Sequence, residues 1–316
     1  MKSRLQLSVI LALSCLAVSE AFGSIRLRTC TSFQEALKDP EKVDCLRIAN
    51  DDELVSFPVG VGRLTNLQIL VIDGSRLSDV PEELLKLKKL WRLEISNSKL
   101  DRIPPAIYSC HNLRYLRLRG NNIRGISDKI EELRELIYLD ISNNKISTLP
   151  NAITRLNKLQ QLFAENNILT SSPPDIGELS SLINLIVSSN SIKNLPPGIG
   201  KLSKLRQMGL HQNSLETLPP EIGALSSLEV LLLNSNRLTE LPTELAELKK
   251  LRRLRMSFNA FEEYPAVLSH MSIKDLMLLK NPFNEEMYEY HIKCLRDRTP
   301  IDWDPNNAAG GSSSTR

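Results

Sequence analysis

Apolar residues recur along this chain at fixed intervals. Leu67, Leu90, Leu113, Leu136, Leu159, Leu182, Leu205, Leu228 and Leu251 stand 23 residues apart, and Ile273 follows after one 22-residue step. Three and five residues after each anchor come two more apolar positions, as at Leu116 and Leu118. That alternation predicts a short β-strand with its leucines turned to one side and the intervening residues to the other. Eight residues after the anchor comes asparagine, at Asn121, Asn144, Asn167, Asn190, Asn213, Asn236, Asn259 and Asn281, with Ser75 and Ser98 in the same column of earlier copies. A side-chain amide both donates and accepts, so this column predicts the turn off the strand and a ladder of bonds to the backbone of adjacent copies. Proline then breaks the backbone, from Pro81 and Pro104 through Pro265, and Ile or Leu follows three residues later. Another Leu comes three residues after that, a spacing that suits a short 3₁₀ or α turn.

A period of this size means a stack of repeats, each contacting only its neighbours. Written out, the unit is LxxLxLxxNxL followed by xxLPxxIxxLxx, clearest in residues 205–227 and 228–250. The pattern resembles the leucine-rich repeat family, specifically the 23-residue LPxEIxxLxxL class of Ras-group and many bacterial repeat proteins. The segment from Phe33 to Ile48 is similar to the opening of spirochaete and Bacteroidetes members, which points to a bacterial source. The resemblance implies an α/β fold: an arc-shaped solenoid with a parallel β-sheet on the concave face, short 3₁₀ or α turns on the convex face, and a cap at each end. The expected organisation is a signal peptide at 1–23, an N-terminal cap at 24–45, about ten repeats over 46–281, a C-terminal cap helix at 282–303 and a flexible tail at 304–316. Departures are few. Ser127 stands where other copies have proline, so that coil's convex turn is expected to differ slightly. Ala164 replaces a strand leucine, with Phe163 beside it to make up volume. Cys110 falls in a buried leucine column, where it would act as a small hydrophobe. The first coil, around residues 46–67, has one extra residue.

The 316 residues carry a net charge of only +3, with both signs interspersed, which gives no reason to propose a nucleic-acid partner. Lys2 and Arg4 precede an apolar run from Leu5 to Val18, the layout of an export signal and too short for a stable transmembrane span. Cys15 leaves open a second reading, a lipid-anchored protein of the cell envelope serving assembly or adhesion, although the residues before it make a poor lipidation site. Exported repeat proteins of this kind often place a disulfide at the N-terminal cap, which suggests a pairing of Cys30 with Cys45 in an oxidising compartment.

No catalytic constellation is visible. The four histidines fall in different columns, and His291 with Cys294 makes only half a metal site. The expectation is a non-enzymatic monomer with no cofactor and no metal, exported to the secreted, periplasmic or cell-surface space, that binds a protein partner. Members of the family bind mostly on the concave strands, so the outward columns are the place to look. Tyr115, Tyr138, Phe163 and Ile186 are neighbours there across four strands, with Arg92, Arg117, Arg119 and Asp140 beside them and Leu232 further along. Strands favour apolar residues in any case, but aromatic and arginine clusters are typical binding hot spots. These nine residues are the expected binding site. A second basic group, Arg252, Arg253 and Arg255, reads as solvated surface.

Overall fold

A computed structural model describes residues 27–283 of the chain. The expected signal peptide, Cys15, His291, Cys294, the tail and nearly all of the C-terminal cap helix lie outside the described residues.

The described residues open with strand β1 (Thr29–Cys30) and a one-turn helix α1 (Phe33–Ala36), capped by Ser32, whose side chain accepts from Glu35 N. Then come the long strands β2 (Cys45–Asp51) and β3 (Ile69–Ser75), followed by β4 (Arg92–Ser96). A second short helix, α2 (Pro105–Tyr108), leads into β5 (Tyr115–Arg117), β6 (Tyr138–Asp140), β7 (Gln161–Phe163) and β8 (Asn184–Ile186). The last four are β9 (Gln207–Gly209), β10 (Val230–Leu232), β11 (Arg253–Arg255) and β12 (Asp275–Met277). All twelve lie in one open parallel sheet in chain order, so every coil passes once through strand, turn and convex segment. The step from Cys45 to its partner Ile69 takes 24 residues where the steps from β3 to β11 take 23, which is the extra residue of the first coil; the last step, Arg253 to Asp275, takes 22.

The leucine columns fill the space between sheet and convex turns; Leu116, Leu139 and Leu162 are fully buried. Ala164 lies in that core, but Phe163 does not make up its volume: period two turns Phe163 to the opposite face of the sheet. Cys110 packs in its leucine column and its thiol lies 3.4 Å from Ala106 O.

Two devices turn the chain off each strand. The residue before the asparagine column takes a left-handed conformation, as at Gly120 (φ 72°), Asn143 (φ 55°) and Asn166 (φ 51°). Gly120 has a steric reason to be glycine, since a β-carbon there would lie 2.2 Å from Asn97 Oδ1. The asparagine itself then ties two coils, bonding the preceding one at two places. Asn144 Nδ2 donates to Leu118 O of the coil before and to Ile141 O of its own coil, each at 3.0 Å, and Asn144 Oδ1 accepts from Ile123 N at 3.0 Å. Asn167 repeats the set one coil on, with Ile146 N, Ile141 O and Ala164 O. Buried backbone groups at a non-helical turn need such partners.

On the convex side each proline sits extended before a 3₁₀ turn, as Pro150 (φ −66°, ψ 150°) does before Asn151–Arg155. Ser127 does not alter its turn as the sequence suggested. It has the same conformation (φ −74°, ψ 152°), accepts from Lys129 N, and donates the N–H that proline would lack to Tyr108 Oη at 3.1 Å.

Cys30 and Cys45 are not paired, and the disulfide expectation is corrected. Their strands are neighbours, but the register sets Cys30 opposite Leu46 and Cys45 opposite Thr29. One step of offset sends the two side chains to opposite faces of the sheet. Cys30 joins the main core, Cys45 packs with Ile69 and Val71 on the other face, and both are free thiols. Side chains that diverge in this way cannot be bridged without backbone movement.

Candidate functional site

The strands present three outward columns on the concave face, and these fall into two unlike halves. In the first half, parallel pairing sets Tyr115 beside Tyr138 in one column and Phe163 beside Ile186 in the next, where Phe163 is opposite Asp140. The Tyr115 and Tyr138 rings stack at 4.1 Å with 8° between planes, and Phe163 follows at 5.3 Å. Arg92 Cζ closes the near end, 4.3 Å from the centre of the Tyr115 ring. At the far end Gly209 leaves room for Ile186; a β-carbon there would lie 3.0 Å from Ile186 Cδ1. The sequence placed these four residues on the concave face, and they are there. Outward placement does not leave them open to solvent: they are only 3%, 4%, 8% and 5% exposed. Their rings cover one another because strand neighbours about 4.8 Å apart are close to ring-stacking distance.

An ionic ladder occupies the earlier strands of the column that ends in Phe163 and Ile186. Arg117 bridges Glu94 Oε1 at 3.4 Å and Asp140 Oδ2 at 3.1 Å, and Arg92 reaches Glu94 Oε2 at 3.4 Å. Asp140 also accepts from Ser142 N at 3.0 Å. Burial works against the charge on Arg117, but Asp140 and then Glu94 outweigh it and hold the guanidinium protonated more firmly than usual. Burial, then the neighbouring Asp140 and Tyr115, push the Tyr138 phenol above its ordinary value. Glu165 is pushed up by burial, with Arg119 opposing and Asp140 adding. Ser188 Oγ lies 2.7 Å from His211 Nδ1, and burial lowers the His211 pKa.

The second half is more open. Val230, Leu232, Met277 and Leu279 are partly exposed in the outward columns. Leu232 is separated from Ile186 by the strand that carries Gly209, so it belongs to this half and not to the aromatic stack. Arg253 and Arg255 are half-buried, and both donate to Asp275 Oδ2, Arg255 Nη2 at 3.0 Å. Burial raises the Asp275 pKa, but the hydrogen bonds from Arg255 and Arg253 outweigh it and the carboxyl lies below its ordinary value. The sequence reading of this basic group as solvated holds for Arg252 alone. The missed signal was Asp275, one strand on in the same column as Arg253.

A hollow of about 600 Å³ on the convex turns is lined by Asp128, Glu131, Asn151, Arg155, Asp175 and Glu178. Three of its carboxylates are already engaged, Glu131 by Arg155 at 3.1 Å, Asp175 by Asn151 at 2.9 Å and Glu178 by Lys201 at 2.9 Å. Among the described residues, no group of three or more His, Cys, Asp or Glu could hold a metal ion. No helix among them is long and apolar enough to cross a membrane.

The profile of a leucine-rich repeat region matches residues 104–196, 169–262 and 189–289, and a second leucine-rich repeat profile matches 65–123. The chain belongs to the leucine-rich repeat family. Among solved structures it is similar to a leucine-rich repeat protein of Leptospira interrogans, with 30% identity and a TM-score of 0.78, covering 89% of this chain and 73% of that one. It is similar as well to the ectodomain of the Arabidopsis thaliana receptor kinase GASSHO1/SCHENGEN3 (30% identity, TM-score 0.67), covering 77% of this chain but 30% of that one. An internalin of Listeria monocytogenes shares the fold at 21% identity, TM-score 0.64, with 86% and 85% of the two chains covered. A comparison with curated proteins finds no match.

Proposed function

We propose that this leucine-rich repeat protein is an exported, non-enzymatic monomer that binds a protein partner with its concave face. The observation that carries the reading is the unbroken twelve-stranded parallel sheet, whose outward columns hold arginines and partly exposed apolar residues at one-strand spacing. Aromatic and arginine side chains at desolvated positions are the usual anchors of protein interfaces. The plant receptor ectodomain it resembles was solved in complex with CASPARIAN STRIP INTEGRITY FACTOR 2, which supports a recognition role for this architecture. In the first half of the face the aromatic stack forms a rigid floor, and Arg92, Arg117 and Arg119 are the side chains a partner meets above it.

The test is capture from extracts by the full chain and by two variants. One carries Arg119→Glu and Leu232→Glu on the concave face; the other carries Arg155→Glu and Lys158→Glu on the convex face. The proposal expects a partner retained by the convex variant and lost by the concave one. Retention by the concave variant with loss by the convex one overturns it. Export is tested separately by mass spectrometry of the mature N-terminus, where an uncleaved Met1 in native material would refute it.

A further inference from the structure

The concave half formed by β9–β12 differs from the other half in three ways, and together they describe a ligand. The first is charge balance. At the outward positions of these strands and the residues flanking them stand Arg206, Arg252, Arg253, Arg255, Lys274 and Lys280, against only Glu229 and Asp275. The corresponding positions of β4–β8 hold Arg92, Arg114, Arg117 and Arg119 against Glu94, Asp140 and Glu165, close to balance. The second is donor surplus. Arg117 is shared between two carboxylates, but Arg253 and Arg255 share one; Arg255 Nε is buried without an acceptor, as Arg92 Nε is in the other half, so the surplus lies in two guanidiniums on one carboxylate. A guanidinium presents a rigid fork of donors, and one carboxylate does not fill two forks. The third is accessible apolar surface. Val230, Leu232, Met277 and Leu279 are partly open beside the arginines, and Phe258 is 57% exposed at the rim of the same coil as Arg253 and Arg255. Phe258 also sits at φ 58°, a left-handed conformation that bulky residues rarely adopt.

We infer that this half of the concave face holds an extended acidic peptide segment of a protein partner, with carboxylates on Arg253 and Arg255 and apolar side chains on Leu232, Met277 and Phe258. The inference rests on the concave-face reading above and adds the place and chemistry of the contact. An extended chain advances about 3.3 Å per residue against about 4.8 Å per strand, so about four or five residues cross β9 to β12. A segment alternating acidic and apolar side chains sets both kinds of group against the surface within that length. A polyanionic glycan would satisfy the arginines but leave the apolar half of the surface wet, so a peptide is favoured.

The test uses the full chain and a labelled, end-blocked octapeptide of alternating Glu and Leu, followed by fluorescence anisotropy. Two comparison ligands are the same peptide with Lys for Glu and a heparin octasaccharide. Binding of the Glu peptide should weaken at least tenfold in Arg253→Gln/Arg255→Gln and in Leu232→Ser/Met277→Ser. Arg155→Glu/Lys158→Glu on the convex face should leave it within about twofold, and the Lys peptide should not compete; tenfold corresponds to about 1.4 kcal/mol. Thermal melts confirm that each variant is folded, and the Lys peptide tests charge sense without any substitution. No binding of the Glu peptide to the wild-type chain overturns the inference. So does heparin binding that depends on the arginines while Leu232→Ser/Met277→Ser leaves the peptide unaffected. Loss confined to Arg92→Gln/Arg119→Gln overturns this site but leaves the concave-face reading standing. Loss confined to Arg155→Glu/Lys158→Glu overturns both.

Discussion

Replacing Asn144 with alanine isolates what one rung of the asparagine ladder contributes. The side chain makes four bonds: to Leu118 O and Ile141 O at 3.0 Å, to Ser142 O at 3.2 Å, and from Ile123 N at 3.0 Å. The three carbonyls have second donors. Leu118 O also accepts from Asn121, Ile141 O from Asn167, and Ser142 O from Gly120 N. Ile123 N–H has only Asn144, and Ile123 is fully buried. The loss therefore concentrates in one orphaned buried donor, about 1–3 kcal/mol, plus the smaller net value of the shared bonds, or about 2–4 kcal/mol together. Asn144→Asp should cost at least as much. The carboxylate still accepts from Ile123 N, but it aims a negative charge at three carbonyl oxygens.

Sharing makes a sharper demand. Removing Asn121 as well takes the second amide from Leu118 O, so Asn121→Ala/Asn144→Ala should exceed the sum of the single changes by about 1 kcal/mol. Asn144→Ala/Asn213→Ala, three coils and about 14 Å apart, should be additive. Urea unfolding at matched slope measures the wild-type chain, the three single alanine variants, Asn144→Asp and the two doubles. A cost below about 0.5 kcal/mol for Asn144→Ala would refute the orphan-donor argument. Additivity in the adjacent pair would refute the sharing.

Tyr138→Ala and Phe163→Ala should each destabilise by about 2–4 kcal/mol despite facing away from the main core, because both rings are buried in the stack; a melt unchanged in either variant would show that the stack opens in solution. Gly223→Ala should destabilise by about 1–3 kcal/mol, since its β-carbon would lie 2.3 Å from Glu244 O of the next convex turn. Gly125→Ala, with nothing within 4 Å, should be neutral or slightly stabilising. Burial lowers the His211 pKa below 6.5, so on acidification the unfolded chain takes up this proton first. Its contribution is full above pH 6.5 and falls as pH drops through the window between 6.5 and the lower folded value. His211→Gln should flatten the dependence of melting temperature on pH there, and an unchanged slope would exclude His211 as its source.

The repeat register was legible because one side-chain type was demanded at the same place in every coil. Leu116, Asn144 and Pro150 each stand for a column, and ten copies of one constraint outweigh any local ambiguity. What escaped depended on contacts between columns or on a single offset. Tyr115, Tyr138 and Phe163 were placed on the correct face by alternation alone. Alternation says nothing of whether neighbouring rings stack, so their burial was invisible. The Cys30–Cys45 pairing was carried over from the caps of exported repeat proteins, but the one-residue slip between β1 and β2 is set by the irregular cap, where no repeat fixes register. Asp275 falls in the Arg253 column by the same register, but column membership does not say which charged side chains pair, so its role as shared acceptor of Arg253 and Arg255 was not read.

The left-handed column shows how this scaffold frees positions for recognition. In successive coils it holds Asn97, Gly120, Asn143, Asn166, Ser189, Gln212, Ser235, Phe258 and Lys280, all at positive φ. Intrinsic preference explains the asparagines and the glycine but not Phe258, for which the conformation costs about 1–2 kcal/mol. The turn is over-determined from both sides. Phe258 N donates to Leu279 O at 2.8 Å, and Asn259 fixes the next residue through bonds to Leu233 O and Met256 O. A strained residue persists where its surroundings dictate the backbone. The ladder that stabilises each coil therefore releases the residue beside it from any conformational duty, and one such residue is an aromatic ring 57% exposed at the rim of the arginine pair.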